Sequence, residues 1–516
     1  MRETESQSVD AQYELSVPPA ASTIEALRGI GYSLTTAVAD LIDNSISAGA
    51  LTVWIDFWWA GAESQVTILD DGIGMSDAGL SRAMRLGSTN PLDERDTSDL
   101  GRFGLGLKTA SFSQCRRLTV ATRQVHEPLS VRSWDLDYVL LHDEWRVLRQ
   151  ATESGKRRIV SLDGLTSGTL VLWEHPDQLV GDATETDTEA RVSFTRAADS
   201  LREHLGMVFH RYLGGKRPLL QIYLNGRDDE HRVEAWDPFL ESHPATVTTP
   251  EEFIEVAGGT VAVKGFILPH RDKLTEPEHR RAAGPAGWNG QQGFYVYRNR
   301  RLLVAGSWLG LGAERPWARE EQYKLARLRL DLPNSMDSQW QIDVRKSVAR
   351  PPTSVRVRLR QLAETVRVKA RHVFSHRGQY QPRVTPEAVI RAWKQVQQGE
   401  SIGYRVNRDH PLVADCLCRD DIPAASLEQV LRLVESTVPV QKIWLDMAEH
   451  PDAHALVGGV AEDAVRPVLR ALYEALRVTQ EFSHAAAKSQ LLRTEPFNSF
   501  AHLVDELDQP ERGTTE

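Results

Sequence analysis

Asp40 and Asn44 stand four residues apart in the string ADLIDNS, residues 39–45. A carboxylate and a carboxamide at that spacing share one face of a helix. Such a pair suits the activation of a water molecule and a hydrated Mg²⁺, which takes oxygen ligands. In LDDGIGM, residues 69–75, Asp70 closes an apolar run that reads as a buried strand, Val66–Leu69. Gly72 and Gly74 then permit a tight turn and close approach of a ligand. A carboxylate placed there can accept a hydrogen bond from an exocyclic amine such as that of adenine. In GRFGLGLK, residues 101–108, Gly101, Gly104 and Gly106 precede a predicted helix, Leu107–Gln114. The free N–H groups of a glycine-rich helix start favour phosphate, and Lys108 adds a cation.

Each string alone has a plainer reading. A lone GxxGxG is more often a turn than a phosphate cradle. No strand-turn-helix unit with a suitable acid follows it, as a Rossmann fingerprint would require. Asp40 and Asn44 could line a solvated helix face. Together, in this order and within about seventy residues, the three strings describe a nucleotide pocket.

They resemble the N, G1 and G2 boxes of the GHKL ATPases, the family of gyrase, the ninety-kilodalton heat-shock chaperone, histidine kinases and MutL. The resemblance is closest to the MutL and MORC branch and to bacterial MORC-like ATPases of restriction and phage-defence operons. It implies an α+β fold, an α/β sandwich with ATP between helices and a mixed sheet. It places the water-activating carboxylate at Asp40, the Mg²⁺ ligand at Asn44 and the adenine acceptor at Asp70, with Gly72, Gly74 and Met75 in the same box. The lid and phosphate loop fall at Gly101, Phe103, Gly104, Leu105, Gly106 and Lys108. The string SGTLVLWE, residues 167–174, is similar to the family strand whose Gly-Thr pair faces adenine, which carries that role to Thr169. One departure stands out: the family usually has Glu where this chain has Asp40, one methylene shorter. Asp43 ranks second for the base, since it points off the face shared by Asp40 and Asn44.

The elements that must position these groups follow from periodicity. Leu34, Val38, Leu41, Ile42 and Ile46 give residues 34–48 a helical apolar face. Strands are expected at 50–58, 117–122, 129–136 and 170–173. Residues 76–100 are polar and poor in periodicity, and 87–99 reads as a long loop suited to a lid that orders on ATP. Residues 1–16 read as a polar arm, and the following strap is implied by the family to cross to a partner subunit. Only 39 residues precede Asp40, too few for the dimerisation helix of a histidine kinase. The acidic, Thr-rich stretch 179–190 reads as a linker, which bounds an ATP-binding domain at 17–190.

A second domain is expected at 191–375. Its string FYVYRNRRLLV resembles the ribosomal-S5-like transducer of MutL-like proteins, with a βαβ crossover. The basic hairpin Arg298–Arg301 is compatible with DNA contact or with a solvated turn. In WQIDVRKSVARPP, residues 340–352, the family's γ-phosphate lysine falls at Lys346, with Arg345 as the alternative. The helix after it carries Arg356, Arg360, Arg367 and Arg371 beside an apolar face of Val355, Leu359, Leu362 and Val366. That stripe could meet phosphate, an acidic patch of the chain or a partner protein. Residues 376–516 read as an α-helical C-terminal domain, with helices at 386–398, 424–436, 461–478 and 480–493.

Composition bounds the rest. A chain of 516 residues predicts about three domains. The net charge of −10 offers no global attraction to nucleic acid, so a local patch must carry any such contact. Three cysteines are too few for a disulfide framework, and no signal peptide or membrane-length apolar run appears. A cytoplasmic, Mg²⁺-dependent ATPase is expected. By family resemblance it dimerises on ATP and acts as a clamp on duplex DNA or with an operon-encoded nuclease or defence protein. A chaperone-like ATPase and a non-hydrolysing nucleotide sensor are the rival readings.

Overall fold

A computed structural model describes residues 18–29, 31–87, 106–256, 259–336, 339–341, 349–375, 390–398, 401–418, 423–439, 462–478 and 481–507. The chain divides into two compact units, Met1–Gln379 and Tyr380–Glu516.

The first unit holds two sheets. Helix α1 (Ala20–Arg28) leads to α2 (Leu34–Ser47), which starts at a capping box between Ser33 and Thr36. Strands β1 (Thr52–Trp58) and β2 (Gln65–Asp70) follow, then α3 (Asp77–Met84) and α4 (Gly106–Phe112). Next come β3 (Arg117–Arg123), β4 (Ser130–Asp135), α5 (Leu136–His142), α6 (Glu153–Ile159) and β5 (Gly168–Glu174). After α7 (Asp177–Val180), α8 (Thr188–Val208) and α9 (His210–Leu213), β6 (Gln221–Leu224) completes a six-stranded sheet of order β4-β3-β5-β2-β1-β6. Only the β1–β6 pair is parallel. The apolar face of α2 works as its spacing predicts: Val38, Leu41 and Ile42 are buried in a core shared with α1, α4, α8 and the sheet.

Two expectations need correction here. Residues 76–100 do contain regular structure, because the Ser76 hydroxyl caps Gly79 N–H and Leu80 and Met84 bury one side of α3. The expected boundary at 190 falls inside the first lobe. Phe194, Ala198, Leu201 and Leu205 of α8 join its core, β6 extends its sheet, and the core runs on to Val233. The linker reading fails because Ala183 and Glu185 carbonyls accept hydrogen bonds from Ala62 N–H and the Trp59 indole.

The second lobe contains β7 (Val247–Thr248), β8 (Glu252–Val256), β9 (Gly259–Ile267), α10 (Glu276–Ala283), α11 (Gly287–Gly290), β10 (Gly293–Arg298), β11 (Arg301–Ser307) and β12 (Ala326–Leu332). Its sheet order is β11-β10-β12-β9-β7, with β8 also on β9 and with β10 parallel to β12. Helix α12 (Thr353–Ser375) buries Val355, Leu359, Ala363 and Val366 against that sheet. The arginine stripe on α12 is not a continuous exposed band. Arg367 is buried between Trp308, Trp317 and Tyr323, its guanidinium 3.8 Å from the Tyr323 ring centroid. Arg356 is exposed but donates to Gly310 O at 2.5 Å.

The second unit pairs β13 (Trp393–Gln398) with β14 (Ser401–Val406) and adds α13 (Pro411–Cys418), α14 (Ala424–Thr437), α15 (Glu462–Val478), α16 (His484–Leu492) and α17 (Ala501–Asp505). It is a mainly helical region. The expected helix at 386–398 is corrected, since its last six residues form a hairpin strand with Ser401–Val406. No helix among the described residues is long and apolar enough to cross a membrane.

Candidate functional site

The first two strings meet at one end of the first sheet, and Gly106–Lys108, the described part of the third, lie beside them. Ser45, next to Asn44 on α2, donates its hydroxyl to Asp70 Oδ2 at 2.8 Å, and Gly72 N–H donates to Oδ1 at 3.0 Å. These contacts tie the end of β2 to the helix above it. Burial raises the Asp70 pKa above its ordinary value, and the Ser45 and Gly72 hydrogen bonds oppose that rise. Asp70 lies opposite Thr169 in the β2–β5 register. The Thr169 hydroxyl is 3.0 Å from that of Thr122, which accepts from Met75 N–H at 2.9 Å. Gly74 is at φ +67°, and a Cβ there would lie 2.0 Å from Arg123 O. No side chain fits that position, so the turn after β2 depends on glycine. Asp70, Gly72, Gly74, Met75 and Thr169 are thus one connected rim.

The other end of the site is built on the same helix, one turn earlier. Asp40 is buried, while Asn44 is exposed. A Cβ placed on Gly106, the first residue of α4, would lie 3.8 Å from Asp40 Oδ2. The glycine-rich string therefore delivers its helix start beside the α2 carboxylate. Tyr32 donates its hydroxyl to Asp40 Oδ2 at 3.0 Å. Arg301 of the second lobe, 4 % exposed, donates from Nε to both oxygens of Asp43 at 2.9 and 2.8 Å. One of its terminal nitrogens is 3.6 Å from Asp40 Oδ1.

The reading of Arg298–Arg301 as a DNA-facing or solvated hairpin is corrected for its two end residues. Arg298 and Arg301 are both buried. The turn residues Asn299 and Arg300, at φ +46° and +68°, reverse the chain tightly, and Arg301 on β11 then points back at α2. Lys108 is buried in α4 and donates to Ala83 O, near the end of α3, at 2.9 Å. Burial lowers its pKa to about 8. Gly101, Phe103, Gly104, Leu105, the 88–99 part of the expected lid, Arg345 and Lys346 lie outside the described residues.

Some contributors carry no motif. Tyr32 precedes the N-box helix with nothing to mark it, and Ser45 reads as a neutral neighbour of Asn44. Thr122 looks like any β-branched strand residue. Arg301 carried a signal, a basic residue opening an apolar strand, but its partner is 258 residues away.

This arrangement, with carboxylate and carboxamide on a helix laid over a mostly antiparallel sheet and a glycine-rich helix start beside them, is that of a GHKL-type ATPase domain. Residues 32–169 match the family model for histidine kinase-, DNA gyrase B- and HSP90-like ATPases. Within that class the chain is similar to the DNA mismatch repair protein MutL over part of its length. It is 28% identical to MutL of Rhodopseudomonas palustris (strain BisB5) over 212 residues, covering 41% of this chain and 31% of the relative. Against MutL of Nitrobacter winogradskyi the identity is 27% over 212 residues, covering 41% and 30%. Against MutL of Bradyrhizobium sp. (strain BTAi1) it is 27% over 241 residues, covering 44% and 34%. The chain therefore spans about a third of the length of these relatives.

Proposed function

We propose that the protein is a Mg²⁺-dependent ATPase that works as an ATP-gated switch. The observation that carries this reading is that α2 carries Asp40 and Asn44, meets Asp70 through Ser45, and lies beside the Gly106 start of α4. Asp70, held by Ser45 and Gly72, accepts the adenine amine, and Thr169 lies beside it on the paired strand. Asn44 is an exposed oxygen donor beside the phosphate end, which fits a hydrated Mg²⁺. Bound there, the ion would neutralise charge on the β- and γ-phosphates. Asp40 orients the attacking water and takes its proton, with one oxygen steadied by Tyr32. Gly106 N–H and the neighbouring glycine backbone receive the phosphates, with Lys346 supplying positive charge near them, and Lys108 joins only by leaving its buried contact with Ala83 O.

The larger role we assign is a clamp. ATP closes the glycine loop, dimerises the ATPase domains, and the closed form acts on duplex DNA, or with a partner nuclease, in a MORC-like defence system. Similarity to MutL supports the DNA reading. The test is ATP hydrolysis by the full chain with and without duplex DNA at moderate salt. Stimulation by DNA is expected. Turnover indifferent to DNA would move the client to a protein. Asn44→Ala should abolish Mg²⁺-dependent ATP binding by calorimetry, and unchanged binding would remove Asn44 from the site.

A further inference from the structure

Arg301 belongs to the second lobe, yet its side chain ends on the helix that carries the proposed base. Asp40 and Asp43 lie three residues apart on α2 and Arg301 reaches both, so the expectation that Asp43 points off the Asp40 face is corrected. Both are buried, Asp43 to 1 % exposure. Two carboxylates on one buried helical turn repel each other and lose hydration, so that turn needs a cation. The guanidinium meets this need in full. Nε serves both Asp43 oxygens, one terminal nitrogen donates to Leu302 O at 3.0 Å, and the other faces Asp40 Oδ1 at 3.6 Å. With Tyr32 on the opposite oxygen, the Asp40 carboxylate is bracketed from both sides.

The hairpin that presents Arg301 is itself fixed to the first lobe. Tyr212 of α9 donates its hydroxyl to Asn299 O at 2.5 Å, and Arg211 pairs with Asp331 of β12 at 2.5 and 3.2 Å. His204 of α8 also lies near Arg301, and the Phe209 ring centroid is 6.0 Å from its guanidinium. Arg298, Arg300 and Asp43 are further charged groups within electrostatic reach of Tyr212. The lobes would stay joined by the Arg211 and Tyr212 contacts without Arg301. What Arg301 adds is a contact to the catalytic helix.

We propose that Arg301 is a positioning residue through which docking of the second lobe sets the Asp40 carboxylate for hydrolysis, acting by way of Asp43. This rests on the ATPase reading above. Nucleotide binding, made by the Asp70 rim and the glycine loop, does not need Arg301. Turnover does, so hydrolysis is tied to the lobe arrangement rather than to occupancy of the site.

The experiment compares kcat for MgATP with the dissociation constant of its non-hydrolysable β,γ-imido analogue, using the full chain. Arg301→Gln should lower kcat about 100-fold, while analogue affinity stays within about threefold. Arg301→Lys keeps a buried cation that can meet Asp43 but cannot also span to Asp40. Its kcat should fall between the two, and it supplies the comparison if the Gln variant does not fold. Asp43→Asn should lower kcat as Arg301→Gln does, and the double variant should fall no further, because both changes remove one contact. If Arg301→Gln lowers the melting temperature and analogue affinity together and leaves kcat at the wild-type value, Arg301 is a brace and the proposal is overturned. A wild-type chain that binds the analogue but never hydrolyses ATP overturns the proposal and leaves the nucleotide site standing. A chain that binds no nucleotide overturns both.

Discussion

The two ends of the site are built differently. The Asp70 rim is closed within the first lobe: Ser45 and Gly72 bond to Asp70, Thr122 bonds to Met75 and Thr169, and Thr169 pairs with Asp70 across the strands. The Asp40 end is not self-contained, because the acid next to it on the helix takes its counter-charge from β11 of the second lobe. One end can therefore recognise a ligand whatever the second lobe does, while the other is complete only when the lobes are docked. On the proposed ATPase reading, this difference would separate binding from turnover.

Breaking the cross-lobe end should have the largest effect. Asp43→Ala leaves Arg301 buried without its main acceptor and should cost ~3–5 kcal/mol of stability. Chemical denaturation would read this, and an unchanged midpoint would mean that the buried pair adds nothing to stability. On the self-contained end, Asp70→Asn removes the carboxylate proposed to accept the adenine amine. ATP affinity should drop by ~1.5–3 kcal/mol, the range for hydrogen bonds to charged groups, with the fold kept. A calorimetric titration showing wild-type affinity would move adenine recognition elsewhere. Gly74→Ala forces Cβ toward Arg123 O and should cost ~1–3 kcal/mol of stability, again measured by denaturation. Ser45→Ala is the smallest change, weakening ATP binding by ~1 kcal/mol without altering kcat if the two ends are separable.

The ionisation of Asp70 gives a pH test of the same contrast. Burial raises its pKa, so on acidification it protonates before an ordinary carboxylate does. The protonated acid is a poorer acceptor for the adenine amine. ATP affinity should therefore be full well above that raised pKa and fall as pH drops through it. Asp70→Asn should flatten this dependence. A wild-type profile that stays flat into the ordinary carboxylate range would contradict the assignment of Asp70.

What could be read from the chain alone tracks the range of the interactions. The α2 face, the glycine turn after β2 and the helix after the glycine run were legible, because apolar spacing and glycine placement are local properties. Helix α3 was missed because only Leu80 and Met84 mark its buried side within a polar stretch. The first lobe's true extent was hidden because α8 and β6 join a sheet whose other strands lie far earlier in the chain. Arg301 was misread as a surface residue for the same reason. A buried arginine and an exposed one look alike in sequence until the distant acid that pairs with it is known. Arg367 repeats the lesson, since the rings that enclose it come from residues 308–323.

The most direct test of the account is to measure ATP binding and ATP turnover on the same preparations of the wild-type chain and Asp40→Asn. The account predicts that Asp40→Asn binds MgATP about as well as wild type and releases essentially no phosphate. Wild-type turnover in Asp40→Asn would contradict it and place the base on another residue.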